Sequence, residues 1–263
     1  MCFMKLDIYY IDAFSSNLFS GNPAAVIFSD LDDEVLMQNI AAENNLSETA
    51  FIKSEDNKNY IRWFSPTIEV DLCGHATLAS AFVYFNFLNK ESSEIIFQSA
   101  SGELKVKKKA DIYELDFPKD NLKPINSIEI IEQATGLTPL ETYLGNINML
   151  AVFENEEMVK NIKPDFEKLK NIEGQGLIVT SSSDEYDFVS RYFCPKYGIN
   201  EDPVTGSAHT SLIPYWSKKL NKETFKAKQV SKRGGELFCQ DTPERVLIGG
   251  RAKLYMTGQI EVD

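Results

Sequence analysis

The 263-residue sequence is poor in the residues that build metal and disulfide frameworks, with only two histidines and four cysteines. Cys2, Cys73, Cys194 and Cys239 lie far apart and form no C-x-x-C pair. That spacing gives no support for a zinc site or a disulfide scaffold and fits a reducing compartment, so no metal is expected. Positive charge is also short: 27 Lys and Arg stand against 39 Asp and Glu, for a net charge of −12 and a pI near 4.8. A surface of that sign does not displace the counterions of a nucleic acid, and an anionic membrane repels it. Neither partner is expected. The most apolar stretch, Ala76 to Leu88, is too short for a bilayer span and carries Ser80 and Asn86. Met1-Cys2-Phe3-Met4-Lys5 runs straight into Leu6-Asp7-Ile8 without a basic stretch, an apolar run and a small-residue cleavage site. No signal peptide is therefore expected, and the predicted location is cytoplasmic. Cofactor motifs are missing too. Gly174-Gln175-Gly176 lacks the third glycine of G-x-G-x-x-G, and no P-loop, H-E-x-x-H or G-x-S-x-G occurs. No cofactor is expected.

What is present is an ordinary globular composition, 43% hydrophobic and 25% charged, in a chain long enough for two modest domains. The chain is also written twice. Phe64-Ser65-Pro66 returns as Phe193-Cys194-Pro195, each closing an apolar strand-like run. Cys73-Gly74-His75-Ala76-Thr77 parallels Thr205-Gly206-Ser207-Ala208-His209, each leading into a helical stretch. Ser99-Ala100-Ser101-Gly102-Glu103-Leu104 parallels Ser231-Lys232-Arg233-Gly234-Gly235-Glu236-Leu237 with one residue inserted. Matches in the same order at nearly constant offset indicate an internal duplication.

The coarse elements agree with it. The first half reads as strand 6–14, helix 33–45, strands 48–53 and 60–64, helix 75–88, and strands between 95 and 117. The second reads as strand 143–153, helix 155–170, strands 176–180 and 188–193, helix 207–219, and strands from 225 onward. The polar stretch 119–126, with Pro124, reads as the linker. This divides the chain into 1–118, 119–250 and a terminal strand, 251–263, that packs back on the first half. The helix from His75 carries almost no polar face, so it is expected to be enclosed by strands. The expected fold class is α+β: two pseudo-symmetric halves, each a β-barrel-like sheet wrapped around a central helix.

Both histidines, His75 and His209, stand near the start of the repeated helix. A lone histidine there is more often structural, but two halves meeting face to face would bring two helix starts to one cleft. Each start offers unpaired N–H groups and partial positive charge, suited to a substrate carboxylate or a developing enolate-like oxygen. Gly74 and Gly206 would let a ligand approach the backbone. Asp202 lies just before the second helix start. Glu48, in Asn45-Leu46-Ser47-Glu48-Thr49, is one of 39 acidic residues, and composition alone does not single it out.

Four segments together resemble the phenazine-biosynthesis-like (PhzF) family. They are Asp12-Ala13-Phe14 with Gly21-Asn22-Pro23-Ala24-Ala25-Val26, Asn45-Leu46-Ser47-Glu48-Thr49-Ala50-Phe51, Asp71-Leu72-Cys73-Gly74-His75-Ala76-Thr77, and Glu201-Asp202-Pro203-Val204-Thr205-Gly206-Ser207-Ala208-His209. The resemblance runs from about Asp12 to Gly250. It implies the diaminopimelate epimerase-like fold, which agrees with the duplication, and a cofactor-independent isomerase of small, carboxylate-bearing, cyclic or open substrates. It implies Glu48 as catalytic acid/base, with His75 and Asp202 binding the substrate and helping to protonate it. Gly74, Gly206 and Ser207 match backbone and hydroxyl contacts to substrate. It implies a homodimer. Related epimerases pair two cysteines; here Cys73 stands at the first place but Thr205 at the second, so two-thiol chemistry is disfavoured. The alternatives are a racemase or epimerase that uses Cys73 with a non-thiol partner, and a non-catalytic binding protein on the same fold.

Overall fold

The computed structural model describes residues 4–262. The chain divides into two compact units, one running to Asp116 and resuming at Gly249, the other Phe117–Ile248. The first unit contains β1 (Met4–Ala13), β2 (Asn22–Phe28), α1 (Glu34–Asn44), β3 (Glu48–Glu55), β4 (Lys58–Phe64), β5 (Glu69–Val70), α2 (Gly74–Val83), β6 (Glu94–Ser99), β7 (Gly102–Lys109) and β8 (Ile112–Pro118). β2 runs antiparallel to β1 and parallel to β3, and β4 is antiparallel to β3 and β5 but parallel to β6. Hairpins then join β6 to β7 and β7 to β8. The closing strand Ala252–Val262 lies antiparallel along β1, from Met4 opposite Val262 to Ala13 opposite Ala252.

The second unit contains β9 (Lys123–Pro124), α3 (Ile128–Thr135), β10 (Glu141–Leu144), β11 (Met149–Val152), α4 (Glu156–Asn161), α5 (Phe166–Leu169), β12 (Leu177–Ser182), β13 (Phe188–Cys194), β14 (Ile199–Asp202), α6 (His209–Leu220), β15 (Thr224–Gln229), β16 (Gly235–Asp241) and β17 (Arg245–Gly250). Its ladders repeat those of the first. β10 and β11 are antiparallel, β11 and β12 parallel, and β13 is antiparallel to β12 and β14 but parallel to β15. β15 and β16 form the following hairpin. The duplication seen in the residues is thus a duplication of strand pairing.

The central helices explain why each sheet closes around one. In α2 every residue except Phe82 is buried, and Gly74, Ala76, Ala79 and Ala81 let it sit close against β1, β2 and β3. Thr77 and Ser80 donate their hydroxyls to the carbonyls of Cys73 and Ala76 at 2.6 and 2.7 Å. The burial therefore leaves neither hydroxyl unpaired. A π turn, Tyr84–Leu88, extends this helix. α6 carries Pro214, which has no N–H to give the Thr210 carbonyl four residues back. The Asp120 N–H takes that carbonyl at 3.2 Å. The Asp120 carboxylate in turn accepts from Ser211 Oγ at 2.5 Å and Asn146 N at 2.8 Å. In the first unit α1 sets Met37, Ile40 and Ala41 against Ile27, Phe51 and Phe64.

The elements depart from the sequence reading in four places. β2 was not expected, because Asn22-Pro23-Ala24-Ala25 lacks the branched side chains that mark a strand. The expected strand 143–153 is the hairpin β10–β11, closed by Gly145 N–H to Asn148 O at 2.9 Å. The expected helix 155–170 is broken into α4 and α5 at Ile162-Lys163-Pro164. α6 begins at His209 after a turn in which Gly206 and Ser207 carbonyls accept from His209 and Thr210 N–H. Among the described residues no helix is long and apolar enough to cross a membrane.

Candidate active site

Local turns bring distant residues of the first unit together. Gly21 has φ +72°, and a Cβ there would stand 2.2 Å from the Ala13 carbonyl oxygen, so only glycine fits the turn that leads into Asn22. α1 stops at Asn45, which takes the left-handed conformation at φ 49° and returns its N–H to Ala41 O. Glu48 follows as the first residue of β3. Because β2 and β3 are parallel, with Ala24 opposite Glu48, Asn22 and Glu48 emerge at the same strand ends. Cys73 and His75 arrive from the start of α2, which packs on both strands.

Glu48 Oε2 stands 3.1 Å from His75 Nε2, their side chains only 13% and 6% exposed. The ring N–H does not point at it, and Oε2 is buried without a directed hydrogen bond among the described residues. Oε2 thus meets the ring through charge and proximity and not through an aligned hydrogen bond. On the far side of the ring, Asn22 Nδ2 lies 3.1 Å from Nδ1, while Ser47 Oγ donates to Asn22 Oδ1 at 3.3 Å. The buried amide suits either charge state. Nδ2 donates to a neutral Nδ1, and a half-turn of the amide presents Oδ1 to an Nδ1–H, with Ser47 Oγ then accepting from Nδ2.

Cys73 Sγ lies 3.4 Å from Nδ1 and 4.0 Å from Nε2 of the same ring. Burial, assisted by the Glu48 charge, pushes the Cys73 thiol up to about 11. Burial works against charge on His75 as well, yet its Cys73 and Glu48 neighbours outweigh it and hold the imidazole well above its ordinary value. The first unit therefore carries a buried acid next to a buried acceptor.

The remaining candidates, Asp202, Gly206 and Ser207, fall in the second unit. Thr205 Oγ1 donates to Asp202 Oδ2. The fully buried Gln229 donates to the Asp202 carbonyl at 2.7 Å and accepts from Thr205 N–H at 2.9 Å. Ser231 Oγ ties the Pro203 carbonyl at 2.7 Å, as Ser101 Oγ ties the Asp71 carbonyl at 2.8 Å in the first unit. The repeated serine segment thus anchors the loop before each central helix. His209 is not a second His75. Its Nδ1–H donates to Thr205 O at 2.9 Å, the role Thr77 plays toward Cys73 O. Burial pulls its pKa down to about 4, so the ring is neutral at pH 7. The sequence reading had not given roles to Asn22, Ser47 or Gln229, although Asn22 and Ser47 lie in the segments that carry the family resemblance. A groove of about 610 Å³ lined by Phe51, Lys53, Tyr60 and Arg62 reaches neither Glu48 nor His75. Arg62 there is already taken by Glu69 and Glu34.

Comparison with known proteins places the fold first. A hydroxyproline epimerase from Agrobacterium vitis superposes with a TM-score of 0.62 at 10% identity, over 98% of this chain and 93% of that one. The fold is that of the diaminopimelate epimerase-like proteins. The chain belongs to the phenazine biosynthesis-like protein family, whose profile it matches over residues 11–258. A PhzF-family crystal structure from Enterococcus faecalis is 50% identical with a TM-score of 0.95, covering 98% of this chain and 99% of that one. A protein of Pseudomonas aeruginosa named as an uncharacterised isomerase is 48% identical over 261 residues, 98% of this chain and all of that one.

Proposed function

We propose that the protein is an isomerase that moves a proton on a small carboxylate-bearing substrate, with Glu48 as shuttle and no bound cofactor. The observation that carries this reading is the buried, undirected Glu48 Oε2 beside His75 Nε2. Glu48 removes a proton from a substrate carbon, and the electron pair left behind delocalises into the adjacent unsaturated or carboxylate group. The proton returns to a different carbon from the Glu48 carboxyl. His75 Nε2–H donates to the oxygen where negative charge gathers, and the Asn22–Ser47 pair holds the ring for that task. Asp202, Gly74, Gly206 and Ser207 are assigned, on the family pattern, to holding the substrate, with helix-start N–H groups meeting its carboxylate. The relative named as an isomerase supports the class of reaction.

Glu48→Gln tests the proposal, since it keeps size and loses the base. General acid/base catalysis is worth about 10² to 10⁴ in rate, so turnover is expected to fall by that factor with the circular dichroism unchanged. The thiol reading draws on Cys73 lying beside His75. It is weakened by the upward pressure on that thiol, which leaves little thiolate at neutral pH, and by the threonine at the corresponding place in the repeat. Cys73→Ser is expected to keep most activity; the reverse ranking of the two variants would move the chemistry to the thiol. A turnover screen of small carboxylates separates both from a binding protein.

A further inference from the structure

The two units cover the outer faces of their sheets differently. Asp33 caps α1 and Asp165 caps α5, and Met37 and Leu169 follow these caps at the same spacing, both buried. α1 and α5 are therefore counterparts. Between the preceding strand and the capped helix stand residues 29–33 in the first unit but residues 153–165 in the second, and the extra length forms α4. Among the described residues the first unit has no helix in its place. Strand register says where that place is. Phe64 opposite Thr49 matches Phe193 opposite Leu177, so Lys53, Tyr60 and Arg62 stand where the second unit has Ser181, Val189 and Arg191. There α4 covers β12 and β13, and Val159 and Ile162 are buried in one cluster with Val179, Val189 and Phe193. In the first unit the same face is the groove of about 610 Å³, with Tyr60 left 42% exposed. The arginines agree. Arg191 gives Nε and Nη2 to Glu201, and Arg62 gives Nε and Nη2 to Glu69. Arg191 Nη1 then takes the carbonyls of Val159, Lys160 and Ile162 at 3.2, 3.2 and 2.8 Å, closing the last turn of α4. The bonds of Arg62, which extend to Glu34, leave its Nη1 unused among the described residues.

We propose that this groove docks a short amphipathic helix of a partner protein, in the place that α4 fills in the second unit. The duplicated face defines the segment. It presents apolar side chains at i and i+3, as Val159 and Ile162 do, and lays the carbonyls of its last turn on Arg62 Nη1. Its charge differs from that of α4. Glu156 of α4 hydrogen-bonds Ser183 and lies near Lys228. The first unit has Glu55 and Gln98 at those two places. Asp32, Glu55 and Glu69 also outnumber Lys53 and Arg62 along the groove. The docked segment therefore carries lysine or arginine where α4 has Glu156, so that unlike charges meet. The groove reaches neither Glu48 nor His75, and docking stands apart from the proton-transfer reading.

The probe is a synthetic peptide of residues 154–163 with Glu156→Lys, capped at both ends. A lactam joining positions 157 and 161, both exposed in α4, holds so short a helix together. Nitrogen-15 spectra of the whole protein follow its titration. The expected result is saturable one-to-one binding that shifts the amides of Lys53, Tyr60, Arg62 and Gln98. The same peptide with Glu156 retained binds about 5-fold more weakly. Glu55→Lys, a substitution of an exposed side chain, reverses that order. Arg62→Gln weakens both peptides by about 10-fold with the circular dichroism unchanged, and should it fail to fold, the Glu55 reversal decides alone. No saturable binding, equal affinity for the two peptides, a preference that survives Glu55→Lys, or shifts confined to other residues overturns the proposal. Small cyclic or aromatic carboxylates that move these amides while the peptide does not would make the groove a small-molecule site and overturn it as well.

Discussion

Replacing His209 with glutamine separates the two histidines by their opposite electrostatics. His209 is fully buried beside Phe188, gives Nδ1–H to Thr205 O, and has no partner for Nε2 among the described residues. Its pKa is lowered from the ordinary 6.5 to about 4, burial being the cause. The unfolded chain therefore takes up a proton between these values while the folded protein does not. Stability from this group is complete above about pH 6.5, drains away as pH falls, and levels off below about 4. At 1.36 kcal/mol per unit, the full effect is about 3 kcal/mol, of which roughly 2 kcal/mol falls between pH 7 and pH 5. Urea unfolding at pH 7 and pH 5, followed by tryptophan fluorescence, measures it. Trp216 stacks on Phe188 at 5.6 Å and reports the second unit. His209→Gln costs some stability at both pH values but loses that part of the pH dependence. Carboxylates and His75 contribute equally to both proteins, so the difference isolates His209. Identical pH dependence in wild type and variant would refute the assignment of His209 as a neutral packing residue.

Because the sequence holds only two histidines, nitrogen-15 spectra resolve both rings. His75 is expected to remain protonated at pH 7 and His209 to stay an Nδ1–H tautomer down to about pH 4; two rings titrating together near 6.5 would contradict the site. Glu48→Gln removes a neighbour that raises His75, so the His75 midpoint is expected to move down in the same spectra. Asn22→Ala leaves His75 Nδ1 without its amide and is expected to broaden that ring's signals and reduce turnover by about 10-fold, chiefly in kcat, with KM little changed. Asp120→Ala strips the acceptor of Ser211 and Asn146 and is expected to cost about 1–3 kcal/mol in urea unfolding.

Much of the fold was legible because the duplication is carried by residues with fixed backbone duties. Phe-x-Pro ends β4 and β13, Gly starts or precedes each central helix, and the serine segments tether the loops before them. What escaped was local: β2 has proline and alanines where branched residues would advertise a strand, and Pro164 splits a helix whose periodicity runs through it. Glu48 owes its place to the parallel pairing of β2 with β3, which composition does not encode; the family resemblance pointed to it. His209 misled by symmetry. The repeat itself aligns His75 with Ser207 and Thr77 with His209, and the hydrogen bonds to Cys73 O and Thr205 O follow that alignment. The contacts of Asn22 with His75 and Ser47 arise only when three distant segments meet.

The central claim is that Glu48 carries a proton to and from carbon. Incubating the protein in deuterated water with a panel of small cyclic and aromatic carboxylic acids, and reading mass by spectrometry, tests it without prior choice of substrate. Wild type is expected to place deuterium on carbon in at least one compound and to isomerise that compound. Glu48→Gln, with unchanged circular dichroism, is expected to reduce both by about 10² to 10⁴-fold. Exchange and isomerisation at the wild-type rate in Glu48→Gln would contradict the account.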